Sequence, residues 1–326
     1  MTVKSRILEL LEQHKGEVLS GETIAGELGC TRAAVWKAVK SLREEGYIIH
    51  AGQNKGYMLD RETNRLSAEG IRLYLNKPEA AIQLFHEVGS TNQAAKQAVV
   101  SGEARHGSFV LAQRQTAGRG RRGRSFFSPE DAGLYLSIIL EPEETLKESL
   151  LLTTAAATAV YKAVKKVCGI FLDIKWVNDL YLDGRKVCGI LTEAITDFEG
   201  GNIEFAIVGI GINLYKNGEE VPEELKNVAG ALYEDKEKAG SVDRNLLAAE
   251  IVNVLLEETK ELKLSHEYVE RNIVPGREIF IVDGEKRRRA RALSICPDGR
   301  LLVQEADGSE SMLSYGEVSV CLDKPK

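Results

Sequence analysis

The hydrophobic period of this chain changes twice, and that constrains its fold more than any other feature. Up to about residue 60, apolar residues recur at helical spacing, beginning with Val3, Ile7, Leu10 and Leu11. From there to about 270, helical stretches (LLTTAAATAVYKAVKKV, NLLAAEIVNVLLEETKEL) alternate with strand-like runs (SFVLAQ, LYLSIIL, FLDIKW, VCGILTEA, IEFAIVGI). From about 272 only short strands remain, REIFIV, RLLVQE and EVSVCL, separated by DGE, PDGR and ADGS turns. Segregated periods argue for separate cores, so the expected fold class is α+β and multi-domain, divided as 1–62, 63–271 and 272–326. The middle domain reads as α/β with a mixed sheet. Repeated Asp-Gly turns favour tight hairpins, which points to a small β-barrel of the SH3-like type at the C-terminal end. DRETNR, residues 60–65, contains no apolar residue and reads as a linker.

The first domain has a second helix marked by Ile24, Ala25 and Leu28 and stopped by Gly29. Thr31 can cap a third, whose Val35, Ala38, Val39 and Leu42 form one apolar stripe. Arg32, Trp36, Lys37, Lys40 and Arg43 fall off that stripe, and no acidic residue occurs between 31 and 43. Then come YIIH, a turn in AGQNKG, and YML, a two-stranded wing. Together these make a winged helix-turn-helix pattern. Its third helix would enter the major groove, Lys and Arg taking phosphates and Trp36 or Lys37 nearer the bases, which makes Thr31, Arg32, Trp36, Lys37, Lys40 and Arg43 the candidate DNA-binding residues. The competing reading is a charged, solvated helix in a protein-interaction module. A net charge of -6 and a pI near 5.6 exclude a generally basic nucleic-acid coat, so DNA binding must be local.

Five scattered cysteines without a CxxC pair argue against a disulfide framework or zinc site and for a reducing, cytoplasmic setting. No apolar run approaches the ~18 residues of a membrane span, and the charged, amphipathic N-terminus is no signal peptide.

GRGRRGR, residues 118–124, places four arginines in seven positions and lies one substitution from a phosphate-binding P-loop. A P-loop needs a helix directly after it, because the helix N-terminus supplies half of the anion site. Here FFSPEDAGLYLSIIL follows, with Pro129 and Gly133, and runs into a strand. The ATPase-loop reading therefore fails on context. Aromatic residues do not interleave the arginines as an RNA-stacking segment would require. What remains is a flap over an anionic small molecule, its glycines allowing close approach and its arginines neutralising phosphate.

Other polar clusters accompany it. GSTNQAAKQ (89–97) reads as a strand end and helix start exposing Ser90, Thr91 and Asn92. KWVNDLYLDGRKVCGIL (175–191) reads as a hairpin about Asp183-Gly184 carrying Lys175, Asn178, Asp179 and Lys186, and GIGIN (209–213) ends a buried strand. In this order the motifs resemble those of the biotin–protein ligases. With the N-terminal unit the chain is similar to the bifunctional ligase and biotin operon repressor form, and the resemblance covers essentially the whole length.

The resemblance implies a class II synthetase-like central domain that joins biotin to ATP with Mg2+, releasing pyrophosphate. It then implies passage of biotin from biotinyl-5'-adenylate to a lysine of the biotin carboxyl-carrier domain of acetyl-CoA carboxylase or another biotin enzyme. It further implies operator DNA as a partner and a homodimer when adenylate is bound. Residue by residue, it puts Ser90, Thr91, Asn92 and Gln115 at the biotin head. Gly118, Arg119, Gly120 and Arg121 form the flap over the biotin carboxylate and adenylate phosphate. Lys186 bridges carboxylate and α-phosphate, with Gly189 behind the pocket, making Lys186, Arg121 and Arg119 the catalytic cations. Lys175, Asn178, Asp179 and Asn213 handle nucleotide and Mg2+. Phe126 stands where family members often carry Trp, as a hydrophobic cover. The alternatives are a regulator that binds a biotin-like ligand without catalysis, and an enzyme of the lipoate-ligase class. Asn178 and Asp179 could also merely shape a hairpin, and Ser90 and Thr91 merely cap a helix; KRRRAR (286–291) reads as a solvated barrel strand, or at most a help to ATP or acceptor docking.

Overall fold

The computed structural model describes residues 2–52, 56–141, 149–196, 203–216, 221–240, 242–283, 286–314 and 317–320. The chain forms two compact units: residues 1–79 with 237–250, and residues 80–236 with 251–326.

In the first unit α1 (Val3–Gln13), α2 (Gly21–Leu28) and α3 (Arg32–Glu44) are capped by Thr2, Ser20 and Thr31, whose hydroxyls accept from the backbone N–H three residues on. Gly29 ends α2 in the left-handed region at φ 60°, where only a residue without Cβ is unstrained. Ile7, Leu10, Leu11, Ile24, Val35, Val39 and Leu42 make the core. Val3 lies outside it, 42% exposed, because Leu8 widens the buried face of α1 instead. The strands β1 (Ile49–Gly52) and β2 (Gly56–Leu59) pair antiparallel, and Leu19 bridges to Tyr57. The predicted turn at the tip, residues 53–55, lies outside the described residues.

The segment read as a linker is held fast, and this corrects the sequence expectation. Thr63, Leu66 and Ser67 are buried. Asn64 Nδ2 donates to Val242 O (2.6 Å), and Asn245 bonds both Ser67 N (3.0 Å) and Arg65 O (3.0 Å). Its polar side chains satisfy backbone groups rather than water, so a lack of apolar residues here signals bonding rather than freedom. The short helix α4 (Ala68–Arg72) follows, capped by Ser67.

The second unit carries a mixed seven-stranded sheet ordered β3-β4-β5-β9-β8-β7-β6. Its strands are β3 (Ile82–Val88), β4 (Phe109–Gln115), β5 (Gly133–Leu140), β6 (Asp173–Lys175), β7 (Asp179–Leu182), β8 (Arg185–Thr196) and β9 (Ile203–Asn213). Only β3 and β4 pair in parallel, joined by α5 (Thr91–Val100) as their crossover. Ala94 and Ala95 of α5 pack on Val110, Ile139 and Ile207, small residues letting the helix lie close to the sheet. All eight positions of β5 are buried, as its continuous apolar run requires. The helices α6 (Ser149–Cys168), α7 (Lys236–Ala239), α8 (Arg244–Glu258) and α9 (His266–Glu270) complete the helical complement of the described residues, and none is long and apolar enough to cross a membrane.

A five-stranded antiparallel sheet, β13-β12-β11-β10-β14, ends the chain. It is made of β10 (Glu278–Asp283), β11 (Lys286–Ile295), β12 (Leu301–Glu305), β13 (Glu310–Leu313) and β14 (Glu317–Val320). KRRRAR lies in β11, where Ala290 and Ala292 face inward while Arg288 and Arg289 pair with Glu305 and Glu278. Trp176 fastens the two sheets by donating its indole N–H to Gly299 O at 2.9 Å. Cys321 lies outside the described residues.

Candidate active site

Four separated stretches meet at the end of the seven-stranded sheet. The first is the start of α5. Ser90 is its N-cap by backbone but makes no capping bond with its side chain. Thr91 donates from both N (2.8 Å) and Oγ1 (3.1 Å) to Gln115 Oε1, and Gln115 Nε2 donates to Ser128 Oγ (2.9 Å). Neutral donors and acceptors are thereby fixed against one another without a charge among them. Asn92, next along, is buried. It accepts from Ser137 Oγ (2.6 Å), donates to Glu193 Oε2 (2.7 Å), and its amide fills the place of a side chain at 209, since a Cβ on Gly209 would lie 2.2 Å from Asn92 Oδ1.

The second stretch is the arginine loop, folded back on itself between β4 and β5. Gln115 bridges to Ser128 and Arg119 to Ser125; Phe126 N donates to Gly118 O (2.9 Å) and Gly120 N to Arg124 O (2.7 Å). A 3-10 turn at Arg121–Gly123, with Arg122 left-handed at φ 57°, closes the ladder. Gly118 is confined, because a Cβ there would come within 2.3 Å of Phe126 O. The arginines diverge. Arg119 Nη1 reaches Gln93 Oε1 (3.4 Å) and Glu193 Oε1 (3.6 Å), and Arg121 Nη1 donates to Asn178 Oδ1 (3.0 Å). Arg122 Nη1 donates instead to Val282 O of β10 (3.0 Å).

The third stretch is the β7–β8 hairpin, turned at Asp183 (φ 50°) and Gly184 (φ 74°) as a two-residue primed turn demands. Lys186 Nζ lies 2.7 Å from Asp179 Oδ1, both side chains mostly covered. Asn178 Nδ2 donates to Ile190 O (2.9 Å). The fourth stretch is GIGIN in β9. Phe126, edge-on to Tyr135 at 6.5 Å between ring centroids, lies over Gly189 and Gly211. A Cβ on Gly211 would be 2.5 Å from its ring.

Ser90, Thr91, Asn92, Gln115, Arg119, Gly120, Arg121, Asn178, Lys186 and Gly189 line one pocket with Phe126. Its cavity is about 50 Å³ with Phe126 and Lys186 in these positions, against roughly 300–1,000 Å³ for ordinary ligand pockets. Gly118, Lys175, Asp179 and Asn213 lie outside this lining. Asn213 Nδ2 donates to Gly230 O (2.9 Å), and Lys175 Nζ stands 5.7 Å over the Tyr181 ring. Among the described residues no three or more His, Cys, Asp or Glu gather as a metal cage.

Two site residues escaped the sequence reading. Ser137 interrupts the apolar run LYLSIIL, and a serine in a fully buried strand was a usable signal. Glu193 receives Lys96 Nζ (2.7 Å) and Asn92. Burial pushes its carboxyl up, but the bonds and charges of Lys96, Asn92 and Arg119 outweigh this and hold it below the usual range.

In the first unit, Arg32, Trp36, Lys40 and Arg43 of α3 line a groove of about 960 Å³ with Ser20, Gly52 and Tyr57. Glu22 and Glu44 line the groove as well, while Lys37, which is exposed, and Thr31, the helix cap, are outside its lining. Trp36 is 58% exposed, with Lys40 Nζ 5.6 Å from its ring.

The sequence pattern of the biotin/lipoate A/B protein ligase family matches residues 84–213, and that of a helix-turn-helix domain matches residues 3–58. The bifunctional ligase/repressor BirA of Bacillus subtilis (strain 168) is 38% identical over 255 residues, covering 76% of this chain and 78% of that protein. BirA of Escherichia coli (strain K12) is 31% identical over 333 residues, 98% of this chain and 97% of that one. Among solved structures, the biotin protein ligase of Aquifex aeolicus in complex with biotin and ATP is similar with a TM-score of 0.60 and 30% identity, over 74% of this chain and 98% of that one.

Proposed function

The chain belongs to the biotin/lipoate A/B protein ligase family, and we infer from that premise and from the pocket that it is a biotin–protein ligase that also represses transcription. The observation that carries the ligase reading is the convergence of an uncharged polar cradle, two flap arginines and Lys186 on one pocket from four separate stretches.

The chemistry demands this arrangement. The biotin carboxylate must attack the α-phosphorus of ATP, two anions meeting, with pyrophosphate leaving. The acceptor lysine amine then attacks the carbonyl of biotinyl-5'-adenylate, and AMP departs. Ser90, Thr91 and Gln115 suit the neutral ureido head. Lys186 is a point charge suited to lie between carboxylate and phosphate, and Arg119 and Arg121 offset the charge that grows there. The filled state of the cavity supports an entry step in which the flap carries Phe126 off Gly189 and Gly211, then closes to keep water from the mixed anhydride.

Mg2+ fits the donor set modestly. Asp179 offers one buried carboxylate oxygen, already paired with Lys186 Nζ at 2.7 Å, which an ion that keeps its waters and leans on substrate phosphates would have to share. When bound it would neutralise phosphate charge. Lys175 and Asn213, turned to Tyr181 and Gly230, are read as supports of the nucleotide side rather than direct ligands.

For DNA, α3 supplies Arg32, Lys37, Lys40 and Arg43 for phosphates and Trp36 for a base edge, the hairpin β1–β2 serving as a wing. We assign residues 1–62 to operator binding, 63–271 to ligation on a class II synthetase-like frame, and 272–326 to an SH3-like domain. Carboxylase carrier domains are the acceptors, and an adenylate-bound homodimer the operator-binding form, acting on biotin synthesis and transport genes in the cytoplasm. Biotin-dependent ATP–pyrophosphate exchange, run beside lipoate, tests the enzyme. Exchange with lipoate alone would overturn it.

A further inference from the structure

We propose that Glu193 is a positioning residue: through a charge cluster shared with Lys96 and Asn92 it holds Arg119, and thereby sets how long the flap retains the adenylate. The proposal rests on reading the pocket as the ligase site. Glu193 projects from β8 with a side chain only 19% exposed. Its Oε2 is taken by Asn92 (2.7 Å), which is itself anchored to Ser137, and its Oε1 by Lys96 (2.7 Å). Arg119 Nη1 reaches the same Oε1 at 3.6 Å and Gln93 Oε1 at 3.4 Å. So α5, β8 and the flap, far apart in sequence, converge on one carboxylate.

The distances rank the two cations. Lys96 holds the close place, and Arg119 the loose one at the pocket rim, half exposed. Two positive charges on one negative leave the cluster a surplus cation, and it is the one on the flap. Lys96 thus competes with Arg119 for the same Oε1, and the hold of Glu193 on the flap is weaker than it would be for Arg119 alone. Without the Glu193 charge, Lys96 and Arg119 would face each other as like charges, and the flap would be pushed from the rim.

The test uses the full-length chain loaded with biotinyl-adenylate made from biotin, ATP and Mg2+, freed of substrate, and followed for adenylate release. Glu193→Gln keeps shape and an acceptor for Asn92 but removes the charge; release should quicken about tenfold with thermal unfolding unmoved. Lys96→Met gives Arg119 sole claim on Glu193, and release should slow roughly threefold. A packing role would lower the melting temperature in both variants and could not move release in opposite directions. Release within twofold of wild type in either variant overturns the proposal, and Lys96→Met decides alone should Glu193→Gln not fold. If the wild-type chain forms no adenylate, it is the ligase reading that fails.

Discussion

Lys186 makes plain how little a residue's type says about its work. Beside an Asp-Gly turn a lysine would ordinarily be solvated, yet here its ammonium is held 2.7 Å from Asp179 at the pocket wall. Lys186→Ala should cut biotin-dependent exchange by about 10²–10³-fold, the scale of losing one cation aimed at developing charge, with the fold retained by circular dichroism. Glu12 is the residue no sequence pattern exposed. It sits on the buried face of α1, and burial raises its carboxyl to about 7, the charges of Asp243 and Glu69 adding to this and Lys15 opposing it. A carboxyl raised by folding holds its proton while the unfolded one has lost it, so stability falls as pH climbs from about 4.5 to 7 and is level above. Glu12→Gln removes that penalty. Its advantage over wild type in chemical denaturation should be greater at pH 8 than at pH 5, by at most about 3 kcal/mol. An equal difference at both values would refute the linkage.

At the scale of elements, α3 was nearly complete in the sequence. Its cap, its stripe and its charged face follow from residues three or four apart, which the helix itself brings together. Thr31→Ala should cost about 1 kcal/mol of first-unit stability, since the Ala34 N–H loses its acceptor. Lys37→Ala should weaken binding to all duplexes alike and lower the slope of log K against log salt by about one, whereas Trp36→Ala should weaken selected sequences more than random ones. Gel-shift titrations at several salt concentrations separate the two. The arginine loop was legible only in part. Its strand-loop-strand setting could be read, but the ladder from Gln115 to Ser128 and the turning of Arg122 toward Val282 could not, because they depend on partners on other elements.

At the scale of the whole molecule, removal of residues 2–62 should abolish operator binding while pyrophosphate exchange persists, because the pocket draws every lining residue from beyond that segment. It should also lower the melting temperature, since Leu66 and Ile71 are buried in the same unit as α1. Loss of exchange together with DNA binding would mean the two activities are not separable. The sequence by itself determined the order of the segments, the period of each element, its caps and turns, and the kinds of chemistry available, because these rest on neighbours within a few residues. Only the tertiary structure decided that a polar stretch near residue 64 is clamped to Val242 and Asn245, that Asn92 in the pocket wall is tied to Ser137 and Glu193, and that Glu193 joins Lys96 to Arg119. Each of these is a bond across many residues, made when a buried polar group takes whichever partner the packed chain offers, and no local pattern names that partner in advance.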